Sequence, residues 1–215
     1  VTLNNCTASD DAVVYVQSLT VNAGSDVTIC KNDNTILTAT GADTYSWSTG
    51  QTTPSITVAP TTGTTYRVTG TKNGATASDD VVVFVRNLPS VSAGSDKTIC
   101  YGNSANLTAT GAYSYSWNTG ANSQTITVAP TSTTTYYVTG TDNNGCKNTA
   151  SVKVSVNNNP VANAGPDKTI YNGTSVDLNA SGGDSYSWSN GATSQTISVS
   201  PTTTTTYRVT VTLNN

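Results

Sequence analysis

The side chains of this sequence that could do chemistry are its cysteines, its aspartates and its many hydroxyl groups. It has 4 Cys and no His, and all 12 acidic residues are Asp. Nucleophilic catalysis needs a base to activate Ser or Cys, and the usual base, His, is absent. Glycoside hydrolysis needs two carboxylates across a cleft, whereas these aspartates lie mostly in predicted turns or in pairs such as Asp79-Asp80. The composition therefore predicts no enzyme activity and no cofactor.

Metal binding is also not favoured by the residue pattern. The cysteines are spread along the chain rather than clustered as zinc requires, and no nucleotide-binding glycine loop is present. Calcium prefers carboxylate and carbonyl oxygens, and Asp26, Asp96 and Asp167 recur at equivalent positions. An Asp in a Gly-containing turn has the same signature, and no multi-carboxylate spacing accompanies it. We predict turn residues and no metal site.

The charge balance bears on possible partners. The net charge is −3 and only 10% of residues are charged. Nucleic-acid binding needs a basic face, which this composition does not supply. No apolar run approaches the length of a membrane span. We therefore predict neither nucleic-acid binding nor membrane insertion of this segment.

The elements that must position these residues are organised by a threefold repeat. Ala23-Gly24-Ser25-Asp26 recurs as Ala93-Gly94-Ser95-Asp96 and as Ala164-Gly165-Pro166-Asp167, a period of about 70 residues. A second repetition joins the ends, because residues 1–5 and 211–215 are both Val-Thr-Leu-Asn-Asn. This identity predicts that the chain is a window from a longer array of similar domains.

Each repeat reads as about seven short strands. Apolar and polar residues alternate, as in residues 151–156, which is typical of strands with one face in a core. No segment has a helical period. We predict an all-β fold of tandem immunoglobulin-like β-sandwich domains arranged head to tail. In the second repeat the strands are expected near 91–93 (A), 97–100 (A′), 105–110 (B), 113–117 (C), 124–128 (E), 134–141 (F) and 149–156 (G).

The repeat also predicts domain boundaries and a core. Residues 18–87, 88–158 and 159–215 form domains 1, 2 and 3, and the third lacks its strand G. Residues 1–17 are predicted to be strand G of a preceding domain. We expect them to pair with the incomplete third domain of a neighbouring molecule or with the preceding part of the same array. The predicted core aromatics are Trp47, Trp117, Trp188, Tyr66, Tyr136 and Tyr207.

Several segments resemble a known class of repeats. The sequence Thr98-Ile99-Cys100, the motif Tyr115-Ser116-Trp117, the run 128–136 and Asn144-Gly145-Cys146 are similar to the Ig-like and PKD-like repeats of giant surface adhesins of Bacteroidota, including gliding-motility adhesins. The resemblance covers all three repeats. It implies export to the cell surface and no enzyme activity.

The cysteines occupy two positions of the repeat, the end of strand A′ and the start of strand G. The first position holds Cys30, Cys100 and Tyr171, and the second holds Ala75 and Cys146. If A′ of one domain pairs with G of the next, every cysteine has a cysteine as its partner. Each position that lacks a cysteine then faces another position that also lacks one. This pattern favours an interdomain disulfide between Cys30 and Cys146, with Cys6 and Cys100 pairing outside this window.

Two alternatives to that disulfide stay open, a Cys100–Cys146 bridge within the second domain and free thiols. Parallel A′ and G strands place the two positions at opposite poles, roughly 15–20 Å apart. A disulfide needs Cα atoms within about 7 Å.

The sequence thus favours a structural role. We interpret the chain as the shaft of a secreted, extracellular cell-surface adhesin filament that transmits force during adhesion or gliding. Its partners would be neighbouring copies of the array, with a surface or glycan ligand bound through other regions. The alternative is a carbohydrate-binding module in which Tyr101, Tyr113 and Tyr137 stack on sugar rings.

Overall fold

A computed structural model describes residues 9–213. Within that range every regular element is a β-strand, in line with the alternating sequence. The chain separates into two compact units, Val1–Leu88 and Pro89–Asn215. The predictions for Cys6 and for residues 1–8 lie outside the described residues.

The first unit contains one complete sandwich. Its two sheets have the strand orders β1-β6-β5-β3 and β2-β4, which correspond to the A′-G-F-C and B-E strands of the prediction. The strands are β1 (Val27–Cys30), β2 (Thr35–Thr38), β3 (Thr44–Trp47), β4 (Ser55–Val58), β5 (Thr64–Lys72) and β6 (Ala75–Arg86).

The second repeat, in the second unit, has the same arrangement. One sheet has the order β7-β12-β11-β9 and the other pairs β10 with β8. The strands are β7 (Lys97–Cys100), β8 (Ala105–Thr108), β9 (Ser114–Trp117), β10 (Thr125–Val128), β11 (Thr134–Thr141) and β12 (Lys147–Asn157).

The third repeat forms only part of this arrangement. Two two-stranded sheets are present, β13 with β15 and β14 with β16. No strand equivalent to β6 or β12 follows β16 within the described residues. The strands are β13 (Val176–Asn179), β14 (Ser185–Trp188), β15 (Thr196–Val199) and β16 (Val209–Thr212).

These observations confirm the predicted all-β fold of tandem immunoglobulin-like sandwiches. Each repeat has its own hydrophobic cluster, and a tryptophan lies in each. Trp47, Trp117 and Trp188 are 3%, 2% and 3% exposed. Their indole N–H groups donate to the carbonyl oxygens of Thr53, Ser123 and Ser194, each at 3.0 Å. The buried ring thereby keeps its polar atom bonded.

The tyrosines predicted for the core differ among repeats. Tyr66 and Tyr136 are buried at 8% exposure each, whereas Tyr207 is half-buried. Tyr66 and Tyr136 lie opposite Val81 of β6 and Val152 of β12. Tyr207 has no such neighbour among the described residues, which accounts for its greater exposure.

We expect Trp117→Ala to destabilise the second repeat by about 3–5 kcal/mol, because the substitution leaves a large cavity in a small core. Calorimetric unfolding of the chain would report the transition of that domain. Tyr113→Ala is the control, since Tyr113 is 76% exposed. An unchanged transition in Trp117→Ala would contradict this account of the core.

Candidate functional site

The ends of strands A′ and G carry the cysteines, and local turns position them. Cys30 ends β1, where it lies opposite Arg86 of β6. The N–H of Asp33 donates to the Cys30 carbonyl at 3.0 Å, closing a turn in which Asn32 has a φ of 74°. The side chain of Cys30 is half-buried at this end of the strand.

Cys146 is positioned by the turn that precedes β12. The Asp142 carboxylate accepts hydrogen bonds from the N–H groups of Asn144 (2.8 Å) and Cys146 (2.9 Å). Gly145 has a φ of 86°, a conformation that glycine adopts without strain. Cys146 is 1% exposed. The corresponding turn of the first repeat is one residue shorter, with Asn73 and Gly74 both at positive φ, as a two-residue hairpin turn requires.

The oxidation state differs among the described cysteines. Cys30 and Cys146 are each disulfide-bonded. Cys100 is a free, exposed thiol. The alternative bridge between Cys100 and Cys146 is therefore wrong.

The strand register supplies the physical reason. β7 and β12 run parallel, and Cys100 lies opposite Asn157 at the far end of β12. Cys146 precedes the first residue of β12, about 35 Å from Asn157 along the strand. This separation exceeds the 15–20 Å expected from the sequence, because eleven residue steps separate the two positions along β12. A disulfide tolerates about 7 Å between Cα atoms.

The recurrent aspartates bond to strand G. The Asp26 carboxylate accepts the N–H of Val82 at 2.8 Å, and the Asp96 carboxylate accepts the N–H of Lys153 at 2.8 Å. Each thus ties the segment before A′ to strand G, a long-range role beyond a local turn. Asp167 makes no such bond within residues 9–213. No cluster of three potential metal ligands occurs among the described residues.

One ion pair links strands F and G of the first repeat. Arg67 Nε and Nη2 donate to the two carboxylate oxygens of Asp80 at 2.8 and 2.7 Å. The hydrogen bond from Arg67 lowers the pKa of the exposed Asp80 carboxyl. The equivalent pair in the second repeat is Tyr137 and Ser151, so the charge is lost on both strands together.

The tyrosines proposed for sugar stacking are spread over the second repeat. Tyr101, Tyr113 and Tyr137 are all exposed. The Tyr101 N–H donates to Asn157 and the Tyr113 N–H donates to Thr141, which lie at opposite ends of the β11–β12 pair. Tyr137 is on β11 between them. The three rings therefore do not form one platform.

A second set of tyrosines has a role that the sequence analysis missed. The Tyr45 hydroxyl donates to the carbonyl of Ala42 at 2.9 Å and accepts its N–H at 3.0 Å. Tyr115 makes the same pair of bonds to Ala112, and Tyr186 donates to Gly183. The sequence signal for this role is the Tyr-Ser-Trp motif, which recurs in every repeat.

Comparison with known proteins agrees with the topology. Residues 87–160 match the family model described as "Ig-like domain CHU_C associated". The second repeat is immunoglobulin-like. No curated protein matches the chain. Within the described residues, no helix has the length and apolar character needed to cross a membrane.

The chain is also similar to several solved multi-domain structures. The titin domains Z1Z2 in complex with telethonin are 15% identical, covering 63% of this chain and 93% of that one, with a TM-score of 0.26. DIP-gamma IG1+IG2 is 11% identical, covering 61% and 93%, with a TM-score of 0.29. Extracellular domains 3–5 of Drosophila OTK are 13% identical, covering 77% and 75%, with a TM-score of 0.32.

We expect Asp96→Ala to destabilise the second repeat by about 1 kcal/mol, the typical net contribution of one hydrogen bond. Asp177→Ala is the control and should leave stability unchanged, because the exposed Asp177 carboxylate bonds no strand G among the described residues. Urea unfolding with and without calcium measures both effects. A calcium-dependent stabilisation that Asp96→Ala abolishes would instead make this aspartate a metal ligand.

Proposed function

We propose that this chain is part of the shaft of a secreted, cell-surface adhesin filament, with no enzymatic activity of its own. The observation that carries the proposal is the disulfide-bonded state of Cys30 and Cys146 in a chain of tandem sandwiches. Disulfides persist in oxidising surroundings such as the cell exterior. The resemblance to surface-adhesin repeats and the match to an Ig-like family model support the same assignment.

The proposed disulfide joins Cys30 to Cys146 and so links the first domain to the second. Two observations support it. Cysteines are present or absent together at the A′ position of one repeat and the G position of the next, and Cys100 is a free thiol. Such a bridge would carry tension past all of the chain between the two cysteines. The strands in that stretch would then be shielded from the load, because the covalent bond would bear it instead of their hydrogen bonds.

The proposed shaft also requires short connections between its domains. β12 ends at Asn157, and Asn163 already bridges to Ser181 of the third repeat. Within this connection the Asn159 side-chain amide donates to the Tyr101 carbonyl at 3.1 Å. The connection is therefore short and anchored to the second repeat, as force transmission requires.

Single-molecule extension tests the mechanical role. We expect the intact chain to extend about 400 Å less than a Cys30→Ser/Cys146→Ser variant, because the bridge locks the residues between the two cysteines. Cys100→Ser is the control and should extend like the parent. Equal extension of the parent and the double variant would exclude a disulfide that shields the residues between Cys30 and Cys146 from the force.

Peptide mapping without reducing agent identifies the bond itself. The expected product is a single linked peptide containing Cys30 and Cys146. A peptide linking either cysteine to Cys6 would contradict the proposed pairing. Binding of the isolated chain on a glycan array would favour the carbohydrate-binding module over the shaft.

A further inference from the structure

Four Asn-Gly dipeptides occur in the sequence, at positions 73–74, 144–145, 172–173 and 190–191. All eight residues are exposed. In such a dipeptide the main chain can attack the asparagine side chain, because glycine has no Cβ to obstruct its own nitrogen. The dipeptide and its exposure are the same at all four places. Only the local hydrogen bonds and backbone pairing can make the four sites differ in reactivity.

The reaction needs two free groups. The main-chain nitrogen of Gly attacks the side-chain carbonyl carbon of Asn, the bond from that carbon to the side-chain nitrogen breaks, and ammonia leaves with the proton of the attacking nitrogen. Water then opens the resulting cyclic imide at one of its two carbonyl carbons, which gives Asp or isoAsp. A Gly N–H that donates to a carbonyl, or an Asn side chain that accepts a hydrogen bond, must first lose that bond.

Two of the four dipeptides are held by hydrogen bonds. The Gly191 N–H donates to the Trp188 carbonyl at 2.9 Å, and the Asn190 side-chain oxygen accepts a second hydrogen bond at 3.2 Å. The Gly145 N–H donates to the Asp142 carbonyl at 3.2 Å. In both places glycine is the fourth residue of a turn, and its N–H is the donor that closes the turn.

A third dipeptide is held by the hairpin to which it belongs. Asn73-Gly74 is the two-residue turn between β5 and β6, and the flanking residues Lys72 and Ala75 are paired with each other. Asn73 is fixed in the left-handed region, with a φ of 49°. Rotation of this backbone toward the asparagine side chain would break the pairing of two long strands, so the hairpin opposes the reaction.

The fourth dipeptide, Asn172-Gly173, has neither restraint. It is the centre of a turn in which the Thr174 N–H and hydroxyl donate to the Tyr171 carbonyl at 3.1 and 2.8 Å. Glycine is the third residue of this turn, with a φ of 84°, so its N–H is not the closing donor. Within the described residues, neither the Gly173 N–H nor the Asn172 side chain makes a hydrogen bond.

The two complete repeats contain the same turn, so this geometry does not depend on the third repeat. In both, the fourth residue of the turn donates to the first at 3.0 Å. Asn32 and Gly102 occupy the position of Gly173, with φ of 74° and 88°. Their N–H groups also make no hydrogen bond within residues 9–213. The central dipeptides there are Lys-Asn and Tyr-Gly, so the third repeat alone places Asn before Gly at the centre of this turn.

We propose that Asn172 is a site of spontaneous deamidation, for which the chain supplies the nucleophile and water is the other reactant. The Gly173 nitrogen attacks Cγ of Asn172, ammonia leaves, and hydrolysis of the imide yields Asp or isoAsp at position 172. Either product adds one negative charge to the turn. IsoAsp also lengthens the main chain by one methylene group shortly before β13. The proposal is independent of the proposed shaft and of the Cys30–Cys146 bridge.

Peptide mapping of the aged chain tests the assignment. The full, folded chain is incubated near neutral pH, and conversion at each Asn-Gly dipeptide is followed by the change in mass from Asn to Asp. Asn172 should convert at least about tenfold faster than Asn144 and Asn190, because the reaction at those sites must first open a hydrogen bond. Asn73 should also lag behind Asn172, because its hairpin must open.

The unfolded chain is the control for the effect of structure. After reduction and in guanidinium chloride the turns are absent, and all four dipeptides should react at similar rates. A second control is Asn172→Ser, which keeps a small polar residue in the turn. The folded parent should accumulate an acidic form on isoelectric focusing, and Asn172→Ser should accumulate much less of it.

Three results would overturn the proposal. These are an Asn172 that stays intact in the folded chain while the unfolded chain reacts, a conversion of Asn144 or Asn190 that keeps pace with that of Asn172, and the same relative rates at the four sites in the folded and the unfolded chain.

Discussion

The pairing of strand G with two neighbours at once is the interaction on which each sandwich depends. β6 and β12 are the longest strands of the structure, with 12 and 11 residues. Each is parallel to A′ on one side and antiparallel to F on the other. Their inward valines are among the most completely buried side chains. One strand thus supplies both the hydrogen bonds and the apolar face that close the domain.

The third repeat shows what the rest of the fold looks like without that strand. Its strand F is reduced to Val209–Thr212, the portion that pairs with β14. Residues 168–170 keep the Lys-Thr-Ile sequence of A′ but form no strand. Trp188 stays buried, because its pocket is built by the remaining strands. Strand G is therefore needed to order one side of the sandwich, while the tryptophan side forms without it.

The proposed mechanical role depends on the same strand. Strand G leads directly into the connection to the next domain, and Cys146 stands at its start. The Asn148 side-chain amide in β12 donates to the Pro89 carbonyl at 3.0 Å, so the beginning of the second unit is also tied to this strand. In the proposed shaft, a force entering through a connection would thereby be delivered to the element with the most backbone pairing in the domain.

The repeat made much of this fold predictable from sequence. Alternating Val and Thr residues identified the strands, and the recurrence of Trp at one offset identified the core. The role of Asp26 and Asp96 was not predictable in this way, because their partners on strand G lie more than fifty residues away. Tyr207 was assigned to the core by analogy, but its burial depends on a neighbouring strand and not on its own position.

The charge pattern of strands F and G could not be interpreted from the sequence alone. Arg67 pairs with Asp80 in the first repeat, and the equivalent pair in the second repeat is Tyr137 with Ser151, which carries neither charge. Their meaning required the register of β5 and β6, which no periodicity reveals.

Hydrogen–deuterium exchange of the chain with a synthetic peptide of residues 6–17 tests the role of strand G most directly. The account predicts new protection at residues 168–171 and 205–208 of the third repeat, with no change in the two complete repeats. Protection that is absent, or that appears in the complete repeats instead, would contradict it.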